Sequence, residues 1–258
     1  MTAEIVVRRM QRTFAGTQGR ADVVALADIS FEVGVGEIYC LLGPSGCGKS
    51  TILNILAGFE RASAGEVLVE GRTVERPSPQ RAVVFQQPQL FPWLDVWDNV
   101  MFGPRVQGRP QPAAADRAEF LLRATGLLEF RHHRVYELSG GMRQRVAIAR
   151  ALINEPRVLL MDEPFGALDA QTRLAMQELL LAVWAELRPT IVFVTHDVDE
   201  ALFLGDRVCI MSPRPGRVAR ELTVPIARPR TADVTTSPQF VALKRTIMNE
   251  IRREEGLR

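Results

Sequence analysis

Short continuous apolar runs and longer mixed segments divide the chain between them. Val23–Glu32 alternates loosely between apolar and polar positions, as a strand with one buried face does. Gly34–Gly36 is turn-like, and Ile38–Leu42 is an unbroken apolar run that predicts a short strand. A glycine-rich loop follows at Gly43–Gly48. Within Ser50–Ala57, Ile52, Leu53, Ile55 and Leu56 fall at helical spacing, and Gly58 is the expected stop. Gly65–Val69 and Ala82–Phe85 read as further strands.

After Gln87 the texture changes. Pro88, Pro92, Pro104, Pro110 and Pro112 break up the stretch, and alanine-rich helical patterns then run from about Ala113 to Leu152. Beyond Pro156 come two continuous apolar runs, Val158–Met161 and Ile191–Val194, which suit strands buried on both faces of a parallel sheet. Between them Ala170–Leu187 predicts a helix. Ser237-Pro238 opens another, with Phe240, Leu243, Ile247 and Ile251 on one face, either docked on the core or offered to a partner. No internal repeat or low-complexity segment is present. The expectation is an α/β sheet domain with a helical insertion near 87–155.

Composition narrows the classes. The 258 residues are 47% hydrophobic and 24% charged, the balance of a globular chain with room for a sizeable core. A net charge of +2 gives no argument for nucleic acid or an anionic membrane surface. No apolar run reaches the roughly 18 residues of a membrane span, and the N-terminus lacks the pattern of a secretory signal. Cys40, Cys47 and Cys209 are few and far apart, so no disulfide framework is expected, and a cytosolic setting is the default. Lys49 and Lys244 are the only lysines among 32 Lys and Arg.

One of those lysines lies in Gly43-Pro44-Ser45-Gly46-Cys47-Gly48-Lys49-Ser50-Thr51, which fits G-x-x-x-x-G-K-[ST]. Glycines let the backbone wrap until several N–H groups point at one phosphate, and the following helix adds its positive dipole end. Lys49 can reach β- and γ-phosphates, and the Ser50 hydroxyl can ligate Mg²⁺. The bland alternative is a plain glycine-rich turn, against which stand the apolar strand before the loop and the helix after it.

Val158–Met161 ends in Asp162 and Glu163. Acids at the carboxyl end of a parallel strand sit where α/β sheets bind ligands. Asp162 can hold Mg²⁺ and Glu163 can polarise an attacking water, the alternative being a solvated strand end. In Leu138-Ser139-Gly140-Gly141-Met142-Arg143-Gln144-Arg145, Ser139 and two glycines open a helix reaching Leu152, a second anion-seeking helix end.

These motifs, in this order from Phe14 to His196, resemble the nucleotide-binding subunit of ATP-binding cassette (ABC) transporters. The resemblance implies a P-loop NTPase, RecA-like core sheet with an inserted helical subdomain. It divides the chain into a nucleotide-binding core at 1–86 and 156–216, a helical subdomain at 87–155 and a C-terminal tail at 217–258. Gly43–Thr51 matches the Walker A loop, Asp162 and Glu163 match Walker B and the catalytic base, and Gln86 matches the Q-loop glutamine, which contacts Mg²⁺ and water. Ser139, Gly140 and Gly141 match the signature that closes on ATP held by a second copy of the chain. Ala167-Leu168-Asp169 matches the D-loop, His196 the switch histidine at the γ-phosphate, and Phe14 the aromatic that stacks on adenine, where tyrosine is commoner. The family's usual LSGGQ has Met142 in place of its glutamine here, a residue used for helix and ribose-side contacts.

ATP and Mg²⁺ are thus the implied ligands, and Glu163, His196, Lys49 and Gln86 the implied catalytic groups. The implied partners are membrane permease subunits at the 86–99 groove and a periplasmic or lipid-anchored solute-binding protein, with no nucleic acid. The expected place is the cytoplasmic face of a bacterial inner membrane. Phe85-Gln86, Leu90-Phe91-Pro92-Trp93, LSGGMRQR and Met211-Ser-Pro-Arg-Pro-Gly216-Arg217 are similar to the nitrate, sulfonate and taurine importer branch. An exporter, a soluble non-transport ABC ATPase and an inactive module are the alternatives.

Phe91, Trp93 and Trp97 serve either a partner interface or the core. His132-His133 has no Cys or His at ligand spacing and reads as a solvated loop. Cys47, at a helix N-terminus, is expected to be a reactive thiol whose modification blocks hydrolysis. Arg228-Pro229-Arg230 reads as a solvated surface run.

Overall fold

The computed structural model describes residues 3–16, 21–254 and 256. In chain order its elements are β1 (Ala3–Phe14), β2 (Val23–Gly34), β3 (Ile38–Leu42), α1 (Lys49–Ala57), β4 (Ala64–Val69), β5 (Arg72–Thr73), β6 (Arg81–Val84) and α2 (Val96–Val106). They continue with α3 (Gln111–Ala124), α4 (Gly140–Leu152), β7 (Val158–Asp162), α5 (Ala170–Leu187), β8 (Thr190–Thr195), α6 (Val198–Leu204), β9 (Arg207–Met211), β10 (Val218–Thr223) and α7 (Pro238–Glu254). The chain forms two compact units, Met1–Ser78 with Pro189–Arg258, and Pro79–Arg188.

In the first unit, β2, β1, β4 and β5 form an antiparallel sheet in that order. A second layer runs β10-β9-β3-β8. Its β3 is parallel to both neighbours, and every residue of β3 and β8 is buried, as continuous apolar runs require of strands covered on both faces. Leu42 pairs with Thr195, so β3 and β8 end side by side. The loop after β3 and His196 after β8 therefore leave the sheet at the same carboxyl edge.

Helix α7 is docked rather than free. Phe240 and Ile247 are fully covered, Leu243 and Ile251 half-covered. Lys244 Nζ reaches Asp199 at 2.7 Å and Arg220 reaches Glu250 at 2.7 Å. The Arg228-Pro229-Arg230 run corrects an expectation, because it is not a solvated patch. Arg228 pairs with Asp206 at 2.8 Å, and Arg230, 5% exposed, donates to the carbonyls of Ile226, Leu202, Phe203 and Gly205. The carbonyls ending α6 have no helical partner, and a planar guanidinium with five N–H groups satisfies several at once. Burial pushes the Arg230 pKa down to about 10.

In the second unit, β6 and β7 pair in parallel with Val84 opposite Met161, so Gln86 and the Asp162-Glu163 pair also leave from one strand edge. α2 was hidden by its proline. Asp95 caps it by accepting the Asp98 N–H at 2.7 Å, and Pro104 lies within its last turn. A proline inside a helix costs about 3 kcal/mol, whereas burying Val96, Val100 and Met101 returns about 1.5–3 kcal/mol each. Packing therefore outweighs the breaker. Pro110 and Pro112 start α3 instead of interrupting it, since a first-turn N–H has no helical acceptor to lose.

Candidate nucleotide site

The Gly43–Gly48 loop is shaped by close approach. Gly46 and Gly48 have φ of 79° and 104°, a region that suits glycine. A Cβ on Gly48 would also lie 2.5 Å from Leu26 Cδ2. Gly48 caps α1 with no side-chain hydrogen bond, so the first-turn N–H groups of α1 are not met by a capping side chain. Lys49 is 5% exposed and its ammonium donates to Gly43 O at 2.7 Å and Pro44 O at 3.0 Å. Those carbonyls hold the charge within the loop itself. Ser45, Gly46 and Ser50 are exposed, and Thr51 is half-buried. His196 is exposed at the end of β8, and the next residue, Asp197, caps α6 by accepting the N–H groups of Asp199 and Glu200.

Cys47 contradicts its expected reactivity. It is 1% exposed, so a reagent in solvent cannot reach its thiol in the folded chain. Phe14 ends β1, 36% exposed, with the Arg12 guanidinium 4.4 Å from its ring centroid.

In the second unit, Asp162 is the last residue of β7 and Glu163 follows it at φ 44°. A non-glycine residue there stores roughly 1–3 kcal/mol of strain, a cost met most often at functional sites. The chain then turns tightly, the Gly166 N–H donating to Glu163 O and the Leu168 N–H to Phe165 O. A Cβ on Gly166 would sit 3.4 Å from Gln86 Nε2 and 3.9 Å from Glu163 Cβ, so the two predicted groups flank one glycine.

The α4 and α5 N-termini also lie together. Ser139 caps α4 by accepting the Met142 N–H at 3.2 Å. Asp169 caps α5 by accepting the Thr172 N–H at 3.0 Å, and that bond holds its carboxyl below the usual range. A Cβ on Gly141 would come within 2.8 Å of Thr172 Cγ2, and one on Gly140 within 3.9 Å of Leu168 Cδ2. The glycines of the segment are thus also needed to let α4 approach α5.

Sequence reasoning missed the residues that hold the loop after β6. Gln144, 2% exposed, donates to Phe85 O at 3.2 Å, next to Gln86. Arg150 donates to Pro88 O and Gln89 O at 2.9 and 2.8 Å. Asn99, fully buried, accepts the Phe91 N–H and donates to the carbonyls of Phe91 and Asp95. The available signal was a polar residue interrupting an apolar helix face. That scaffold presents the aromatics unequally. Trp93 is 69% exposed, while Phe91 and Trp97 are half-buried, with the Phe91 ring tilted against Phe102 at a centroid distance of 4.4 Å. Exposure on this scale suits Trp93 to an interface and not to the core.

His132 is exposed, 3.7 Å from Asp95, and no cluster of three or more His, Cys, Asp or Glu able to hold a metal occurs among the described residues. Among them, no helix is long and apolar enough to cross a membrane.

Known proteins resemble this chain along most of its length. The ABC transporter family model matches residues 26–166. A taurine import ATP-binding protein of Roseobacter denitrificans is 47% identical over 233 residues, 89% of this chain and 87% of that protein. A nitrate import ATP-binding protein of Synechocystis is 43% identical over 252 residues, 95% and 94% of the two chains. Among solved structures, a dimeric ATP-binding cassette in a post-hydrolysis state with ADP and Pi superposes with a TM-score of 0.73 at 31% identity, covering 86% of this chain and all (100%) of that one. With more than half its length inside the family model and near-complete alignment to such relatives, this α/β chain with its phosphate loop belongs to the ABC transporter family.

Proposed function

We propose that this chain is the ATP-hydrolysing subunit of an importer for a small nitrate-, sulfonate- or taurine-like solute, acting on membrane permease subunits from the cytoplasmic face of the inner membrane. The observation that carries the reading is the phosphate loop. A buried Lys49 and an α1 N-terminus without a side-chain cap stand at the carboxyl edge of a parallel sheet. The relatives that import taurine and nitrate support the direction of transport and the solute class.

The roles follow from chemistry. Backbone N–H groups of 43–51 and the Lys49 ammonium bind the β- and γ-phosphates, and Phe14 offers a ring for the base. Ser50, Asp162 and Gln86 supply a hydroxyl, a carboxylate and an amide oxygen, hard donors that fit Mg²⁺. With a single carboxylate among them, the remaining ligands would be phosphate oxygens and water. When bound, the ion neutralises phosphate charge. Glu163 polarises the attacking water and His196 contacts the γ-phosphate. Ser139, Gly140 and Gly141 of one copy, with Asp169, serve ATP held by the other, and closure of the pair excludes water. Trp93 and the 86–99 segment face the permease, and a solute-binding protein outside the membrane delivers cargo. The functional division is 1–86 with 156–216 for nucleotide, 87–155 for coupling and 217–258 as tail.

The test is Mg²⁺-dependent ATPase activity of wild type beside Glu163→Gln, with dimerisation followed by light scattering on adding ATP. Glu163→Gln should lose about 10²–10⁴-fold in kcat, keep ATP binding and accumulate as a closed dimer. An active Glu163→Gln enzyme removes Glu163 from the base role. A wild type that neither binds nor hydrolyses ATP, with permease subunits present, defeats the whole reading.

A further inference from the structure

The segment Met211–Arg217 marked a branch in the sequence, yet nothing in the proposed chemistry uses it. In the structure it joins β9 to β10 and lies along the phosphate loop. It touches that loop at successive places. A Cβ on Gly43 would be 3.1 Å from both the Cβ and the carbonyl oxygen of Met211. Arg214 donates to the Gly46 carbonyl through Nε at 3.3 Å and an Nη at 3.2 Å. A Cβ on Gly216 would fall 2.0 Å from the Cys47 carbonyl oxygen.

Gly216 is not among the residues with positive φ, so its backbone conformation does not demand glycine. What demands it is the Cys47 carbonyl, which occupies the space of a side chain. The glycine is itself fixed, its N–H donating to Ala25 O and its carbonyl accepting the Ala27 N–H, both at 2.9 Å. The hairpin is closed internally as well. Ser212 N–H donates to Arg217 O at 3.0 Å, and the Arg217 N–H donates to Ser212 Oγ at 3.1 Å. Pro213 and Pro215 limit its backbone further.

Peptide planarity gives this contact a direction. In a trans peptide the carbonyl and the following N–H point opposite ways. Pinning the carbonyl of Gly46 fixes the N–H of Cys47, which turns back on Pro44 O at 3.4 Å and holds the loop's curl, and pinning the carbonyl of Cys47 aims the N–H of Gly48. An anion cradle depends on where its N–H groups point.

We propose that the hairpin 211–217 is a buttress that sets the phosphate loop for nucleotide, with Gly216 and Arg214 as its positioning residues. The proposal rests on reading Gly43–Thr51 as the nucleotide site. It makes the branch-marking segment a determinant of ATP affinity, acting through the loop's carbonyls with no contact to the nucleotide.

The experiment measures binding of a fluorescent ATP analogue, KM and kcat for ATP, and the nucleotide-free melting temperature of the full chain. It compares wild type with Gly216→Ala, Arg214→Ala, Arg214→Lys and Arg217→Ala. Gly216→Ala should weaken binding by about tenfold or more, because the Cys47 carbonyl must move. Arg214→Ala should raise KM about threefold to tenfold with kcat unchanged, the loss of one forked, charge-assisted contact to a single carbonyl. Arg214→Lys should recover part of that loss, and Arg217→Ala should bind as wild type does. A merely structural hairpin would lower the melting temperature and leave KM alone. Wild type that binds, beside Gly216→Ala and Arg214→Ala chains that bind equally well, overturns the buttress alone. Wild type that does not bind the analogue overturns the nucleotide reading and the buttress with it. Should Gly216→Ala fail to fold, Arg214→Ala, whose side chain is exposed, decides on the same readouts.

Discussion

The two helix N-termini proposed to meet phosphate in this chain are finished differently. α1 begins at a glycine with no side-chain cap, against a buried lysine held by carbonyls of its own loop. α4 begins at Ser139, whose hydroxyl accepts the Met142 N–H. The first is an open cradle with a fixed cation beside it. The second carries a side-chain cap, with an exposed serine and an exposed Gly140 ahead of a buried Gly141. Helices that end alike in dipole can therefore differ in what they need from a ligand. α1 has no capping side chain, so a phosphate would meet its backbone N–H groups directly. α4 has one of its first N–H groups met by its own serine, which fits the proposed role toward a nucleotide carried by another copy.

The largest effect expected from that contrast is at α1. Lys49→Ala removes the only charge built into the cradle and leaves the Gly43 and Pro44 carbonyls without its donor. ATP binding by the isolated chain should fall below detection and kcat/KM by about 10³-fold, the scale for losing a preorganised charged donor. Equilibrium binding of labelled ATP checks it. Binding within threefold of wild type would mean that the backbone alone makes the cradle.

Ser139→Ala should be milder and differently distributed. The cap is worth about 1 kcal/mol, so the melting temperature should drop by about 2–4 °C in a chain of this size. ATP binding to the isolated chain should not change, because the α1 cradle is untouched. Turnover and ATP-induced dimerisation should fall together, by about 10²-fold. If binding and dimerisation instead fell in step in the isolated chain, the division of labour between the two helix ends would be wrong.

The same contrast explains how much was legible beforehand. The β3–loop–α1 unit was readable because each piece carries a local signal: a continuous apolar run, glycines at fixed offsets and a helical period. β7 and α5 were readable for the same reason, as was the face of α7 marked by Phe240 and Ile247. α2 was not, because Pro104 is a local breaker overruled by buried Val96, Val100 and Met101. Gln144 and Arg150 were hard to read because they act on carbonyls 59 and 62 residues away, and Asn99 because a polar residue in a helix does not by itself say that it folds the preceding turn onto the helix. Arg230 looked like surface for the same reason, since only the fold shows the carbonyls of α6 that it meets. Cys47 was misjudged because helix position says nothing about which way a side chain is turned. Treatment of the folded chain with a thiol reagent should accordingly leave ATPase activity intact.

The smallest expected effect sharpens the comparison most finely. Met142 stands at the third position of α4, where its backbone N–H is the group that Ser139 caps. That bond is indifferent to the side chain, and methionine and glutamine have nearly equal helix propensity, so Met142→Gln should leave the melting temperature within about 1 °C. The half-buried side chain can differ only in what it offers outward. A glutamine amide adds a donor and an acceptor where the thioether has a weak acceptor alone. If α4 is the end that meets another copy's nucleotide, Met142→Gln should strengthen ATP-induced dimerisation by about threefold, one hydrogen bond's worth, with ATP affinity of the isolated chain unchanged. Sedimentation of the Glu163→Gln background with and without Met142→Gln reads this directly. A gain in isolated-chain affinity instead would place the Met142 side chain on the chain's own nucleotide, and α4 would then belong to the same cradle as α1.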